Sequence, residues 1–320
     1  MIELVNLSNY SMDNNLIQND AKALEKFLEK NSLDGIEMML WEPWNSHLHP
    51  EKFIYGVHLR FWSDWLDFWL SNSQGLKLSF PNTDAIKSCF GGLTRNDWLT
   101  LYKENISAAV QMNPQYLVFH VSQARKEELY HWNFHYQDGM VIEAVIDLVN
   151  ALSDVIPEDV TLLFENLWWP GLTLLDRNIV EKLMIGIQHK NKGIMLDTGH
   201  LMNTNQNLVT QEDGVDYILQ VLNNLGTESR YIKGIHLHYS LSGEYVKKVR
   251  QENITRDYSI GNIMEHVLKI DEHLPFSTQK VQKIMEKVQP EYLVHEFMQT
   301  STLDWQTKVQ TQQLALRKFK

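Results

Sequence analysis

The stretch Gly193-Ile194-Met195-Leu196-Asp197-Thr198-Gly199-His200 reads as a short buried strand that ends abruptly in a carboxylate, a small turn and an imidazole. An apolar run with polar residues at its carboxyl end is how a parallel α/β fold delivers side chains to a ligand site. Five other stretches share this grammar: Gly56-Val57-His58, Val118-Phe119-His120, Leu163-Phe164-Glu165-Asn166, Gly234-Ile235-His236-Leu237-His238 and Leu293-Val294-His295-Glu296. Working outward from them, eight strand-like runs emerge at 2–7, 35–40, 54–59, 116–121, 160–165, 193–196, 232–237 and 292–296. Amphipathic stretches lie between, such as 21–29 with Ala21, Leu24, Phe27 and Leu28 at helical spacing, and 140–152 with Val141, Val145, Leu148 and Leu152. Strands apolar on both faces are buried on both sides. Eight βα alternations therefore predict an α/β fold, a closed (β/α)8 TIM barrel, in preference to an open doubly wound sheet. No repeat, linker or low-complexity block interrupts the pattern, so a single domain is expected over residues 1–320.

Composition bounds the chemistry. With 320 residues and 43% apolar side chains the chain can bury a large core. Its 29 basic and 40 acidic residues give a net charge of −11, which disfavours a general electrostatic grip on nucleic acid. A single cysteine, Cys89, excludes an intrachain disulfide and any cysteine-rich zinc cluster. A reducing cytoplasm is the expected location, and any metal must be held by His and carboxylates. Residues 1–7 read as a strand and lack the features of a signal peptide. No apolar run approaches the roughly 18 residues of a membrane span. Thirteen His and ten Trp, gathered beside strand ends and in loops, point to a site richer than a plain core.

From residue 60 to about 96 the chain is too long for a plain βα loop and carries Phe61, Trp62, Trp65, Phe68 and Trp69. The i, i+3, i+7 spacing of Trp62, Trp65 and Trp69 predicts one face of a helix. Because it follows the third strand, this insertion is expected on the catalytic face of the barrel, as an aromatic packing surface, a contact in a homo-oligomer, or a lid over substrate. Trp41, Trp44, Trp168 and Trp169 follow the second and fifth strands and extend the same wall. Aromatic walls stack on sugar rings or bases and serve subunit contacts equally well.

The strand ends carry the candidate ligands. A lone His closing an apolar strand, such as His58 or His120, is more often structural than a ligand. Glu165 closes an apolar run, where a carboxylate must be paired or bind a cation, and no Arg or Lys lies near it in sequence. Asp197 and His200, three apart, are aimed by a turn into one cavity, unless Asp197 merely caps a helix. His236 and His238, two apart on one strand, point to the same side, and only one of them need be a ligand. Asp271 and His273 show that spacing in a loop and read as solvated unless something else requires them. Glu296 is the inward candidate of its strand, while alternation turns His295 outward against a helix. Glu165, Asp197, His236 and Glu296, at the ends of four strands, make a nest for Mn, Mg, Fe or Zn, and the imidazole favours transition metals.

In the order of these residues the chain resembles the xylose-isomerase-like TIM barrels, the superfamily of sugar isomerases and epimerases and of endonuclease-IV-type apurinic/apyrimidinic endonucleases. The resemblance rests on Glu165-Asn166, the Asp197-Thr198-Gly199-His200 turn, Lys233-Gly234-Ile235-His236-Leu237 and Asp271-Glu272-His273. The endonuclease branch implies three ions, zinc foremost. His58, His120 and Glu165 would hold the first; Glu165 would bridge to a second on Asp197, His236 and Glu296; His200, Asp271 and His273 would hold a third. The epimerase branch implies one ion on Glu165, Asp197, His236 and Glu296, with the two glutamates as proton-transfer bases. Ser242 and Gly171 stand where that branch usually has an arginine and a second glutamate. Leu59-Arg60-Phe61-Trp62 after His58, and Val121-Ser122-Gln123 after His120, depart from the endonuclease pattern and count against DNA as substrate.

The leading expectation is thus a multinuclear phosphoesterase using metal-activated hydroxide, with Glu165 and Glu296 catalytic. His238, Trp62, Trp168 and Trp169 are expected to meet the substrate, a small sugar or phosphoester. The alternative is a mononuclear sugar or sugar-phosphate isomerase or epimerase. A sugar-binding regulator or an iron oxygenase using the same pocket is the third class.

Overall fold

The apolar runs are strands because each alternates between two dry environments, the barrel interior and the ring of helices. In the computed structural model, which describes residues 1–252 and 257–317, they form β1 (Ile2–Ser8), β2 (Gly35–Met39), β3 (Ile54–His58), β4 (Tyr116–His120), β5 (Thr161–Glu165), β6 (Lys192–Asp197), β7 (Ile232–Leu237) and β8 (Tyr292–His295). All eight pair in parallel in sequence order, and β8 closes on β1. The helices are α1 (Ala21–Lys30), α2 (Leu66–Trp69), α3 (Ser73–Ser79), α4 (Thr83–Phe90), α5 (Arg95–Val110), α6 (Glu128–His131), α7 (Asp138–Ala151), α8 (Arg177–Gly186), α9 (Thr198–Asn203), α10 (Gln211–Leu225), α11 (Gly243–Gln251), α12 (Ile260–Ile270), α13 (Gln282–Val288) and α14 (Thr302–Leu316). This is a (β/α)8 TIM barrel. No helix among the described residues is long and apolar enough to cross a membrane.

Two cores result. Between strands and helices, Leu24, Phe27 and Leu28 of α1 are buried, and Phe27 stacks on Trp305 of α14 at 3.9 Å. Inside the barrel, Leu4, Tyr116, Val118, Leu163, Met195, Tyr292 and Val294 form one apolar layer. Side chains two apart on a strand share a face. The layer above therefore contains His120 over Val118, Glu165 over Leu163, Asp197 over Met195 and Glu296 over Val294. His58 stands likewise over Gly56, where a Cβ would collide with the Tyr116 ring; the glycine lets that ring fill the lower layer. An apolar floor thus carries a polar storey at the carboxyl ends of the strands.

The aromatic segment departs from its expected helix. Of residues 62–69, only Leu66–Trp69 is helical. The amides of Trp65 and Leu66 both donate to the side-chain oxygen of Gln123 at 2.8 Å, and the Trp65 indole donates to Ser122 O at 2.8 Å. These bonds to the loop after β4 replace a helical turn at Trp65. The three tryptophans converge all the same, their rings 5.8, 5.6 and 6.0 Å from Trp98. Each is at least 94% buried. The segment is a packed core and not a lid. A buried ion pair anchors it: Arg125 donates from Nε and one terminal nitrogen to Asp67 at 2.8 and 3.0 Å, and Tyr136 Oη donates to Asp67 at 2.7 Å. Trp41, by contrast, is 63% exposed, so it adds nothing to that core.

His49, in the loop after β2, is buried with no hydrogen-bond partner at either ring nitrogen. Burial pulls its pKa down to about 4. The unfolded chain protonates this imidazole near 6.5, so its contribution to stability is complete above that pH and is lost as pH falls toward 4. The interval corresponds to roughly 3 kcal/mol. The stability of wild type relative to His49→Leu should fall by up to about that amount between pH 7 and pH 4, measured by urea unfolding. A difference that stays constant would refute the assignment.

Candidate metal centre

Register sets the candidate ligands side by side. His120 pairs with Glu165 across β4 and β5, and Asp197 pairs with His236 across β6 and β7. Asn166 locks this rim, accepting from the Asp197 amide at 2.8 Å and donating to the Asp197 carbonyl at 3.0 Å. Glu165, fully buried, sits in the middle. Nitrogens of His58, His120, His200 and His236 lie 2.9, 3.3, 3.2 and 3.2 Å from its oxygens. No Lys or Arg pairs with it among the described residues. A carboxylate so placed must be balanced by protonated imidazoles or by a metal ion.

The outward nitrogens bear on which of these the cavity is shaped for. His58 Nδ1 donates to Leu59 O at 3.1 Å and His273 Nδ1 to Asp271 O at 3.0 Å; His200 Nδ1, although it also faces Glu165, donates to Asn166 O at 2.9 Å and leaves Nε2 facing Asp271. His236 Nε2 donates to Glu37 at 3.0 Å. In a neutral imidazole the proton then sits on the outer nitrogen and a lone pair points inward, at carboxylates. A second proton on the ring, or a cation between ring and carboxylate, removes that repulsion. His120 Nδ1, His238 Nδ1 and Glu296 Oε2 are buried without a hydrogen bond; Glu296 Oε2 approaches His236 Nδ1 to 3.0 Å but at the wrong angle. Three groups have ligand atoms within 4.8 Å of one another: His58, His120 and Glu165; Glu165, Asp197, His236 and Glu296; and His238, Asp271 and His273. The donor set fits divalent cations of the zinc type, bound by imidazole and carboxylate.

Asp197 is both a cap and a candidate ligand. One oxygen accepts from the His200 amide at 2.6 Å and caps α9, while the other accepts from His238 Nε2 at 2.9 Å. Gly199 makes this possible, because a Cβ there would collide with the His238 ring.

The third group differs from the expected set: His238 takes the place of His200. The reason is stacking, the His238 and His273 rings lying 4.4 Å apart and 13° from parallel. His200 still reaches Asp271 Oδ2 with Nε2 at 3.0 Å. Asp271 and His273, which read as solvated, are not: Asp271 is buried, and an antiparallel bridge between Tyr239 and Leu274 folds their loop over the mouth. His273 sits in the left-handed region at φ 48, a strained conformation of the kind that gathers at functional sites.

Of the aromatic candidates, Trp168 lies 5.0 Å from His200 and 4.9 Å from Trp169, and both buried indoles lack a hydrogen-bond partner. Trp62 instead packs on Trp98 and Tyr102 and donates to Cys89 O at 2.9 Å; its neighbour Phe61 is the residue that meets His120, at 4.5 Å. His295 faces outward as alternation requires, to Glu3 and Gln312 at 2.8 Å. Glu37 went unread as part of the site because it lies in mid-strand, although its Gly35-Ile36-Glu37 run repeats the apolar-to-carboxylate grammar.

Electrostatics follow from burial and from these neighbours. Burial pushes Glu165 upward, but His120, His236 and His200 outweigh it and hold the carboxyl well below its usual range. Burial takes His120 itself down to about 3, so it is neutral near pH 7 and the balancing charge comes from the other two. Glu296 is likewise held low against burial by His236 and His273. Burial would lower His236 and His200, yet Glu296, Glu37 and Glu165 around the one, and Asp197 and Asp271 around the other, raise both well above normal. For Asp197 burial prevails and its pKa is raised.

A Gly199→Ala substitution tests the packing of this rim. In a helix the change ordinarily adds up to about 1 kcal/mol, whereas forcing a methyl into a filled site costs roughly 1–3 kcal/mol. Net destabilisation in urea, with less metal retained after dialysis, is the expected result. A more stable protein with full metal content would show that the His238 ring has room to move.

Comparison with known proteins agrees with the geometry. The profile of the xylose isomerase-like TIM barrel family matches residues 91–279. Solved structures resemble the whole chain at low identity. Endonuclease IV from Thermus thermophilus is 13% identical, with 99% of each chain covered and a TM-score of 0.52. A provisionally named xylose isomerase from Rhodospirillum rubrum is 12% identical, with 98% of each chain covered and a TM-score of 0.57. D-psicose 3-epimerase from Clostridium cellulolyticum is 12% identical, with 99% and 97% covered and a TM-score of 0.46. A search of curated proteins finds no match. With the profile spanning more than half of its length, the chain belongs to the xylose isomerase-like TIM barrel family.

Proposed function

We propose that this chain is a multinuclear metal-dependent phosphoesterase acting on a small phosphoester. The observation that carries the reading is Glu165: buried, shared by two of the three ligand groups, and surrounded by four imidazoles with no Lys or Arg. His58, His120 and Glu165 hold one ion. Glu165, Asp197, His236 and Glu296 hold a second, and His238, Asp271 and His273, with His200 beside them, hold a third. Zinc suits this mixture of imidazole and carboxylate. Bound there, the ions supply Lewis acidity, bringing the pKa of water toward neutrality and offsetting charge on the phosphoryl group.

The chain's own residues do the rest. Glu296 Oε2, buried without a hydrogen bond, is the acceptor for a proton from the attacking water. The unpartnered indoles of Trp168 and Trp169 are donors for phosphoryl oxygens, while Nδ1 of His238, whose Nε2 donates to Asp197, keeps its lone pair for the third ion. Trp168 and Trp169 also belong to an apolar cluster with Leu129, Tyr130, Val246 and Ile270, drawn from segments that follow β4, β5 and β7. That cover excludes water and suits a small substrate better than a duplex. Trp62, committed to its packing around Trp98, has no part in this scheme.

Metal analysis of protein purified without chelator should find close to three ions per chain, with one lost in His58→Ala and one in His273→Ala. Chromogenic phosphoesters should be hydrolysed, and Glu296→Gln should lower kcat by about 100-fold or more. A single ion per chain, unaffected by His273→Ala, would overturn the multinuclear reading and leave a mononuclear sugar isomerase, to be sought by solvent deuterium exchange into ketoses.

A further inference from the structure

We infer that Glu37, in the middle of β2, is the positioning residue for His236, and that Tyr116 in turn holds Glu37. The inference rests on the reading of His236 as a metal ligand. Both carboxylate oxygens of Glu37 lie 3.0 Å from His236 Nε2, on the side of the ring away from Glu165, Asp197 and Glu296. The Tyr116 hydroxyl donates to Glu37 Oε2 at 2.8 Å. All three residues are buried, at 2% exposure or less. These are the contacts of Glu37 among the described residues, and no Lys or Arg balances it. A carboxylate in such a place is costly unless its partners need it.

Backbone alternation explains how it arrives there. Glu37 shares the inward face of β2 with Gly35, and its register partner on β3 is Gly56. A Cβ on Gly56 would collide with the Tyr116 ring, up to the hydroxyl. The glycine thus opens the path by which Tyr116 reaches across from β4 to the carboxylate.

The consequence is a fixed tautomer. A carboxylate can only accept, so the proton of a neutral His236 stays on Nε2 and the Nδ1 lone pair points at the ligand group. The same contact raises the donor strength of the imidazole, as carboxylate partners of ligating histidines do. Tyr116 removes the freedom of Glu37 to swing away from the ring.

Metal affinities and His236 ring ¹⁵N shifts, measured on zinc-loaded Glu37→Gln and Tyr116→Phe proteins, test this. Glu37→Gln keeps the shape and removes the charge. It should weaken one ion by about 10–100-fold, leave the other affinities unchanged, and move the His236 Nε2 ¹⁵N shift as the charge-assisted bond from Nε2–H to the carboxylate is lost. Tyr116→Phe, a milder change that also serves should Glu37→Gln fail to fold, should weaken the same ion by about fivefold. Unchanged affinity and Nε2 shift in the folded variants, or equal weakening of every ion, would overturn the inference. His236→Ala separates the two levels: loss of one ion there, with Glu37→Gln and Tyr116→Phe silent, overturns the positioning role alone. A full complement of ions in His236→Ala overturns the ligand reading with it.

Discussion

Five carboxylates, Glu37, Glu165, Asp197, Asp271 and Glu296, are buried in or just below the mouth of this barrel with histidine as their only charged partner among the described residues. Removing that much negative charge from water is a debt that apolar packing does not offset. Everything around it is arranged to answer it. His58, His236 and His273 turn one nitrogen inward and bind an acceptor with the other. Asn166 pins the β5 and β6 rims together, and Asp197 divides its two oxygens between a helix cap and His238. The same carboxylates hold His200 and His236 well above their ordinary range, so protons on these two rings balance part of the charge.

The rest of the architecture supports this storey mechanically. Below it, the layer around Tyr116, Leu163, Met195 and Val294 is dry and interlocked, so the ligand-bearing residues stand on a rigid floor. Above it, segments following β4, β5 and β7 fold an apolar roof that includes Trp168 and Trp169. The long connection after β3 contributes differently. Its tryptophans close around Trp98, the Asp67–Arg125 pair ties it to the loop after β4, and the connection itself bears on the site through Phe61 and its contact with His120.

The barrel was legible because its signals are local. Each strand announces itself as a two-sided apolar run, and the eight expected runs and the observed strands agree to within about one residue at most ends. The candidate ligands that close strands, His58, His120, Glu165, Asp197, His236 and Glu296, were legible as inward-facing polar groups for the same reason, since a polar group ending a buried strand faces the mouth. Spacing misled at Trp62, Trp65 and Trp69: the i, i+3, i+7 pattern was real as convergence, but Gln123, nearly sixty residues away, takes the amides a helix would have needed.

What the sequence by itself determined is the alternation, and with it the closed barrel and the ring of inward-facing histidines and carboxylates. Only the tertiary structure decided how those ligands divide. His238 joins Asp271 and His273 because its ring stacks on His273, a contact between β7 and a loop some thirty-five residues further on. Asp271 is buried because that loop bridges back to Tyr239. Glu37 meets His236 across the barrel from a strand about two hundred residues away. Periodicity says which face a side chain is on; which neighbours it finds there depends on barrel closure and on loops that fold over it.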